Sequence, residues 1–297
     1  MGTLLDSEIC MSSGLTRTIK HIKHSSEFII TPRLDAWLTA NTELVLTDDD
    51  VDLLRKLLTT AGRMRLGTFT GSQAGDCERR QVFRYLGVPA LRKVDPVLQN
   101  RFFDGTWRHL RMQFTLRHAI PGLIIESPVQ ANKYRFLGAI DGWHPTELWG
   151  WEYKGTSVFS KVVANGVMDP HKMQAVRYWL ATDSDPNYPR LEAWVFVYED
   201  KRTNEWKEVV VRRNDPEVQR LFKIVRTELR YLNESVDNQV LPQPLQECER
   251  AKGQTFRECP WSHVCLGQQW TAPPQDAPVV FSRRRKQPHH SLPQGGS

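Results

Sequence analysis

Three residues in the stretch GAIDGWHPTELWGWEYKGT could do one piece of chemistry together: Asp141, Glu152 and Lys154. Glu152 and Lys154 are two positions apart. On a β-strand they therefore share a face, while Trp149, Trp151 and Tyr153 take the other. Asp141 lies 11 residues before Glu152. A turn at His144-Pro145-Thr146 would lay KYRFLGAID alongside ELWGWEYK as a hairpin. The aromatic face would then bury against a core, and two carboxylates and an ammonium would converge in a cleft. Two hard oxygen ligands suit Mg²⁺ or Mn²⁺, and a lysine beside them could orient or deprotonate a water. That is the equipment of metal-assisted phosphodiester hydrolysis. The same residues would also fit a weakly stabilising surface ion pair, so the choice rests on what surrounds them.

The surrounding elements can be read in order. Residues 1–30 are polar and weakly periodic and read as loosely structured. Thr47 followed by three aspartates is a helix start, and Val51, Leu54, Leu57 and Leu58 give it an apolar stripe. GDCERRQVFRYLGVP reads as a short helix closed by Gly87. Asp104-Gly105 opens the helix TWRHLRMQFTLRHAI, ended by Pro121-Gly122. Strands follow near 122–129, 133–141 and 147–155. Asp169-Pro170 starts a helix with Asp as cap and Pro at the first helical position. RLEAWVFVYE and EWKEVVVRR form a second hairpin around Lys201–Asn204. Asp215-Pro216 opens a long helix whose apolar positions are Val218, Leu221, Phe222, Val225, Leu229 and Leu232. From about Trp270 the Pro-, Gln-, Ser- and Gly-rich composition predicts disorder. This order predicts an α/β or α+β fold, α/β by preference, with a mixed central sheet flanked by helices. It divides the chain into an N-terminal arm and helical segment (1–69), a core domain with a cysteine-rich clip (70–269) and a basic tail (270–297).

Composition narrows the function classes. A length of 297 residues suits one large domain with helical additions. A net charge of +6 fits a polyanionic partner such as nucleic acid. No apolar run approaches the roughly 20 residues needed to span a membrane, and the N-terminus lacks a secretory apolar region. A cytoplasmic location follows as an expectation, with cysteines reduced or bound to metal. No G-x-x-x-x-G-K-[ST] loop occurs, so any ATP-driven motor it serves is a separate protein. The run Arg283, Arg284, Arg285, Lys286 reads as a solvated, nonspecific phosphate contact.

The chain has five cysteines. Cys10 stands in the arm and Cys77 alone near the second helix, while Cys248, Cys259 and Cys265 follow as C-x10-C-x5-C. Four thiolates from Cys77 and this last group could make a tetrahedral zinc site or hold an iron–sulfur cluster, clipping the two ends of the core together. Alternatively, each is a buried, inert cysteine.

Taken together, these segments resemble the RecB-type branch of the PD-(D/E)XK nucleases, which has a restriction-endonuclease-like core. They are most similar to its iron–sulfur members: CRISPR-adaptation exonucleases, the AddB nuclease domain and stand-alone phage exonucleases. The resemblance covers roughly residues 70–266 and lies in several motifs in one order. SQAGDCERRQVFRYLG resembles the N-terminal cysteine segment, FDGTWRH the G-T-x-x-H helix, and GAIDG the G-x-x-D strand. EYKGT resembles the E-x-K strand, HKMQAVRYW the Q-x-x-x-Y helix and CPWSHVC the last cysteine pair. Ile140 stands where the eponymous proline would be.

The resemblance implies that His109, Asp141, Glu152 and the Tyr153 carbonyl hold Mg²⁺ or Mn²⁺ and that Lys154 positions the attacking water. It implies that Gln174 and Tyr178 steady the strand or the metal shell. It makes Cys77, Cys248, Cys259 and Cys265 ligands of a 4Fe-4S cluster, with zinc as alternative; His263, since imidazole can ligate zinc and some clusters, could substitute for Cys248. Lys161, Lys172 and Arg177 are expected to meet phosphates. The implied activity is a metal-dependent deoxyribonuclease, an exonuclease by preference, acting on DNA that is single-stranded or has single-stranded ends. By analogy it would be phage or mobile-element encoded, in recombination, repair or replication, with a helicase or recombinase as partner. The rival readings are a zinc-stapled DNA-binding protein that does not cut, a nuclease on the same fold with an RNA substrate, and an interaction scaffold whose basic tail recruits partners.

Overall fold

The computed structural model describes residues 27–60, 66–91, 96–248 and 254–267. Cys10, the basic run at 283–286, the tail from 270 and all but the last four residues of the arm lie outside them.

The centre is one five-stranded sheet with strands in chain order, β1 (Ile124–Ala131), β2 (Phe136–His144), β3 (Trp149–Thr156), β4 (Ala193–Asp200) and β5 (Trp206–Arg212). All neighbours are antiparallel except β3 and β4, which run parallel. That pair needs a crossover, and α5 (Phe159–Asn165) and α6 (Asp169–Thr182) supply it. The sheet is therefore mixed, and helices cover both faces.

Alternation sorts the side chains between the two faces. Trp149, Trp151 and Tyr153 of β3 join Ala193, Val195 and Val197 of β4 in one core. Against it pack α1 (Thr31–Ala40), α2 (Asp48–Thr60) and α4 (Pro96–Ala119). Trp194, Phe196 and Tyr198 face the opposite core, beneath α3 (Glu78–Leu86), α6 and α7 (Pro216–Asp237). The β3 aromatics are thus the buried face expected from their spacing, and Glu152 and Lys154 turn toward α6. The six apolar positions expected to line α7 are all buried, and the Asp215 carboxylate accepts the Glu217 N–H at 2.9 Å.

Several boundaries differ from expectation. Helix α4 begins at Pro96 and runs through Asp104-Gly105. Asp104 caps nothing and instead pairs with Arg108 one turn on, at 2.9 Å. An interior glycine costs a helix only about 1 kcal/mol. Helix α6 takes Met168 as its N-cap, so Asp169 is its first residue. Strand β2 starts at Phe136, after a 3-10 turn at Asn132–Tyr134. Helices α1 and α5 lie where the sequence indicated no element. Glu208 of β5 caps α1 from across the fold, accepting the N–H of Ile29 and of Thr31 at 2.7 Å each.

The chain after α7 returns to α3 and the residues that follow it. The Trp261 indole donates to the Val88 carbonyl at 2.9 Å, Leu91 N–H donates to the Pro260 carbonyl at 2.8 Å, and Arg79 donates to the Pro242 carbonyl at 2.7 Å. Among the described residues no helix is long and apolar enough to cross a membrane.

Candidate active site

The site forms where the sheet comes apart. Strands β2 and β3 pair only at Gly142–Trp151, Trp143–Gly150 and His144–Trp149. One step further Asp141 and Glu152 would face each other, but their strands splay instead. The Tyr153 N–H turns out of the ladder and donates to Asp141 Oδ2 at 2.7 Å. The close packing at the fork depends on Gly142. A Cβ there would lie 2.1 Å from Trp151 Nε1 and 2.8 Å from the Ile124 carbonyl oxygen.

Glu152 and Lys154 carry out the expected pairing on the α6 side. Lys154 Nζ donates to Glu152 Oε1 at 2.7 Å and to Gln174 Oε1 at 3.0 Å. The Gln174 amide donates in turn to Glu152 Oε1 at 2.8 Å and to the Tyr178 hydroxyl at 3.0 Å. Gln174 and Tyr178 share a helix face, being four residues apart. Tyr178 fits because Gly71 leaves room: a Cβ there would lie 2.6 Å from its ring. Glu152 is buried, and its Oε2 receives no hydrogen bond. Burial and the Asp141 charge, only partly offset by Lys154, raise its carboxyl to about 7.

From the opposite layer α4 sends in His109. Its Nε2 lies 2.9 Å from Asp141 Oδ2, an ion-pair contact without hydrogen-bond alignment. Its ring stacks on Tyr153 with centroids 5.7 Å apart and planes 14° from parallel. Burial opposes a proton on His109, but the charges of Asp141, Glu152 and Glu126 outweigh it and raise the imidazole to about 9.

Glu126 is the residue that sequence reasoning missed. Donor atoms of His109, Glu126 and Asp141 all lie within 4.8 Å of one another. The Gln113 amide holds the Glu126 carboxylate at 2.6 Å. Glu126 has φ 51°, and the β1–β2 ladder lapses there: Ile125–Gly142 and Ser127–Ile140 pair, while Glu126 and Asp141 do not. The left-handed residue swings its carboxylate toward Asp141. An acidic residue within the apolar run GLIIESPV was the available signal.

These atoms fit a divalent cation. Carboxylate oxygens with one imidazole are a donor set for Mg²⁺ or Mn²⁺, and the site holds a buried oxygen without a partner, Glu152 Oε2. Tyr153, whose carbonyl the resemblance assigns to the metal, acts here through its N–H on Asp141.

The expected phosphate contacts fare unequally. Arg177 cannot reach a phosphate: it is 1% exposed and ties three elements together. It donates to the Thr70 carbonyl at 2.7 Å, to Gln81 at 2.8 Å and pairs with Glu228 at 2.9 Å. One turn beyond Gln174, it faces α3 and α7 rather than the site. The Lys172 ammonium is held by Glu217 at 2.8 Å and Asp169 at 3.3 Å. Lys161 is exposed on α5.

The four cysteines expected to act together come from one region. Cys77 is the N-cap residue of α3, Cys248 ends a 3-10 turn and Cys265 ends a short helix. Burial raises the Cys248 thiol, and the neighbouring Cys77 and Cys259 add to the rise. Burial likewise raises Cys265, with Arg79 opposing and Cys259, Cys77 and Cys248 contributing.

No protein-family model and no curated protein matches this chain. Solved structures do, at low identity. A structure described as SSO0001 is 16% identical with a TM-score of 0.44, over 75% of this chain and 97% of that one. The alkaline exonuclease LHK-Exo from Laribacter hongkongensis is 15% identical with a TM-score of 0.36, over 59% and 92%. A candidate exonuclease from Eubacterium rectale is 11% identical with a TM-score of 0.42, over 71% and 95%.

Proposed function

We propose that this chain is a metal-dependent DNA nuclease that hydrolyses phosphodiester bonds. The observation that carries the reading is the convergence of His109, Glu126, Asp141, Glu152 and Lys154 on the fork between β2 and β3. Asp141, Glu152 and His109 are the ligand candidates, and Glu126 joins them. A divalent cation held there supplies a lowered water pKa and polarisation of the phosphate.

The rest is done by the chain itself. Lys154, fixed by Glu152 and Gln174, is placed to orient a water for attack and to stabilise charge developing on the phosphate. Tyr178 and Gln174 lock that lysine against rotation. The Tyr153 amide fixes one Asp141 oxygen and so aims the carboxylate. Stacking on Tyr153 holds the plane of the His109 ring. The net charge of +6 supports a DNA partner, and Lys161 is the retained candidate for a phosphate contact. We favour exonucleolytic action on DNA with single-stranded ends, in recombination or repair, with a separate helicase or recombinase. That part rests on the motif resemblance alone.

The cysteine region supports an iron–sulfur clip. Four thiols from α3 and the C-terminal segment interact electrostatically, and holding a 4Fe-4S cluster or zinc would require them to lose their protons. Its role would be to join the two ends of the core.

The test is incubation of end-labelled single- and double-stranded DNA with Mn²⁺, with Mg²⁺ and with chelator. The expected result is a ladder that requires divalent metal and whose shape gives the polarity. DNA binding without cleavage under every metal condition would move the reading to a stapled binding module.

A further inference from the structure

Helix α6 offers the site more than Gln174 and Tyr178. His171 lies three residues before Gln174 and seven before Tyr178, so the three side chains form one stripe. Its Nδ1 is 2.7 Å from the Tyr198 hydroxyl, and the two ring centroids are 5.7 Å apart. Tyr198 is fully buried on β4 and stands opposite Lys154 in the β3–β4 register. His171 Nδ1 is the one hydrogen-bond partner of the Tyr198 hydroxyl among the described residues, and the phenol is the stronger donor of the pair, so its proton is directed at the imidazole. An Nδ1 that accepts forces the neutral ring to carry its proton on Nε2. Burial, and after it the Lys154 ammonium, push His171 down to about 4, so the ring is neutral near pH 7. The hydrolytic steps above leave it unused. What remains is a fixed, uncharged N–H donor beside the site ammonium. A donor there cannot take a second cation; it suits an anion's oxygen shared with Lys154.

We propose that His171 contacts the substrate directly, its Nε2–H donating a hydrogen bond to a phosphate oxygen of the nucleic-acid strand next to Lys154. The identity of the ligand rests on the nuclease reading; the tautomer does not.

The experiment joins spectroscopy to kinetics on the full chain. Imidazole ¹⁵N spectra of the metal-free protein should show His171 as the Nε2–H tautomer, and Tyr198→Phe should mix the tautomers. With Mn²⁺ and an end-labelled oligonucleotide, His171→Leu should raise KM roughly ten- to hundredfold while kcat moves less. His171→Gln, whose amide N–H can occupy the Nε2 position, should recover most of that loss. Wild-type kinetics in His171→Leu, or an Nδ1–H tautomer in the wild type, overturns the proposal. If His171→Leu does not fold, the wild-type Nε2 resonance decides: a shift on adding oligonucleotide supports the contact, and an unmoved one overturns it. Absence of cleavage by the wild type would sink the nuclease reading instead. Metal-free oligonucleotide binding, weakened or not in His171→Gln and His171→Leu, then judges the contact alone.

Discussion

A φ of 51° at Glu126 is a backbone conformation that costs a non-glycine residue about 1–3 kcal/mol. The compensation is chemical, since it brings a third donor toward His109 and Asp141. If Glu126 is a ligand, saturating Mn²⁺ should raise the wild-type Tm by several degrees, following the roughly 3 kcal/mol expected at a hundredfold excess over Kd. In Glu126→Gln that rise should shrink by half or more, with the metal-free Tm unchanged or higher because repulsion with Asp141 is relieved. A full Mn²⁺ shift in the variant, read by differential scanning calorimetry, would remove Glu126 from the ligand set. Asp141, Glu152 and Lys154 were legible because strand alternation and one turn suffice to bring them together. Glu126 was not, because its placement depends on a left-handed backbone that no alternation pattern encodes. Arg177 misled for the converse reason: sequence proximity to the site says nothing about which helix face a guanidinium takes.

Among the elements, those with local signals appeared as expected and those with distant ones did not. Helix α2 carries its own cap: Asp50 accepts the Thr47 N–H at 2.9 Å and its hydroxyl at 2.8 Å, and pairs with Arg117 and His118 of α4. Helix α1 went unread because its cap, Glu208, is 177 residues away from Thr31. Burial would raise the Asp50 carboxyl, but the Thr47 hydrogen bonds, His118 and Arg117 prevail and hold it below its ordinary value. A depressed carboxyl contributes stability that is full above the ordinary carboxylate range and is lost as pH falls through and below it. Asp50→Asn should therefore destabilise by about 1–2 kcal/mol at pH 7, with the gap to wild type closing in urea melts near pH 3. A gap that stays constant with pH would contradict this account of the cap. At the fork between β2 and β3, Gly142→Ala should cost about 3 kcal/mol or more, since neither the Trp151 indole nor the Ile124 carbonyl can yield the space. Near-wild-type melting of that variant would show that the fork is looser than drawn.

At the scale of the molecule, a sheet with helices on both faces lets two layers act on one fork, α4 bringing His109 and α6 bringing Gln174. The mixed sheet was legible from the order of elements, because a three-stranded meander and a hairpin joined by helices can share one parallel pair. The cysteine spacing and the CPWSHVC motif pointed to a C-terminal segment held near Cys77, but its seat was not legible, since Trp261 and backbone contacts make it. Cys259→Ser should lower folded yield and Tm and release bound iron or zinc, measured by elemental analysis. A wild type that carries neither metal and melts like the variant would refute a cysteine-held group. The whole account turns on the lysine between Glu152 and Gln174. The decisive measurement is the single-turnover cleavage rate of end-labelled DNA with Mn²⁺ for wild type and Lys154→Ala, with DNA binding followed in parallel. The account predicts cleavage by the wild type, a fall of about a hundredfold or more in the variant, and binding that survives. Cleavage that persists in Lys154→Ala would contradict it.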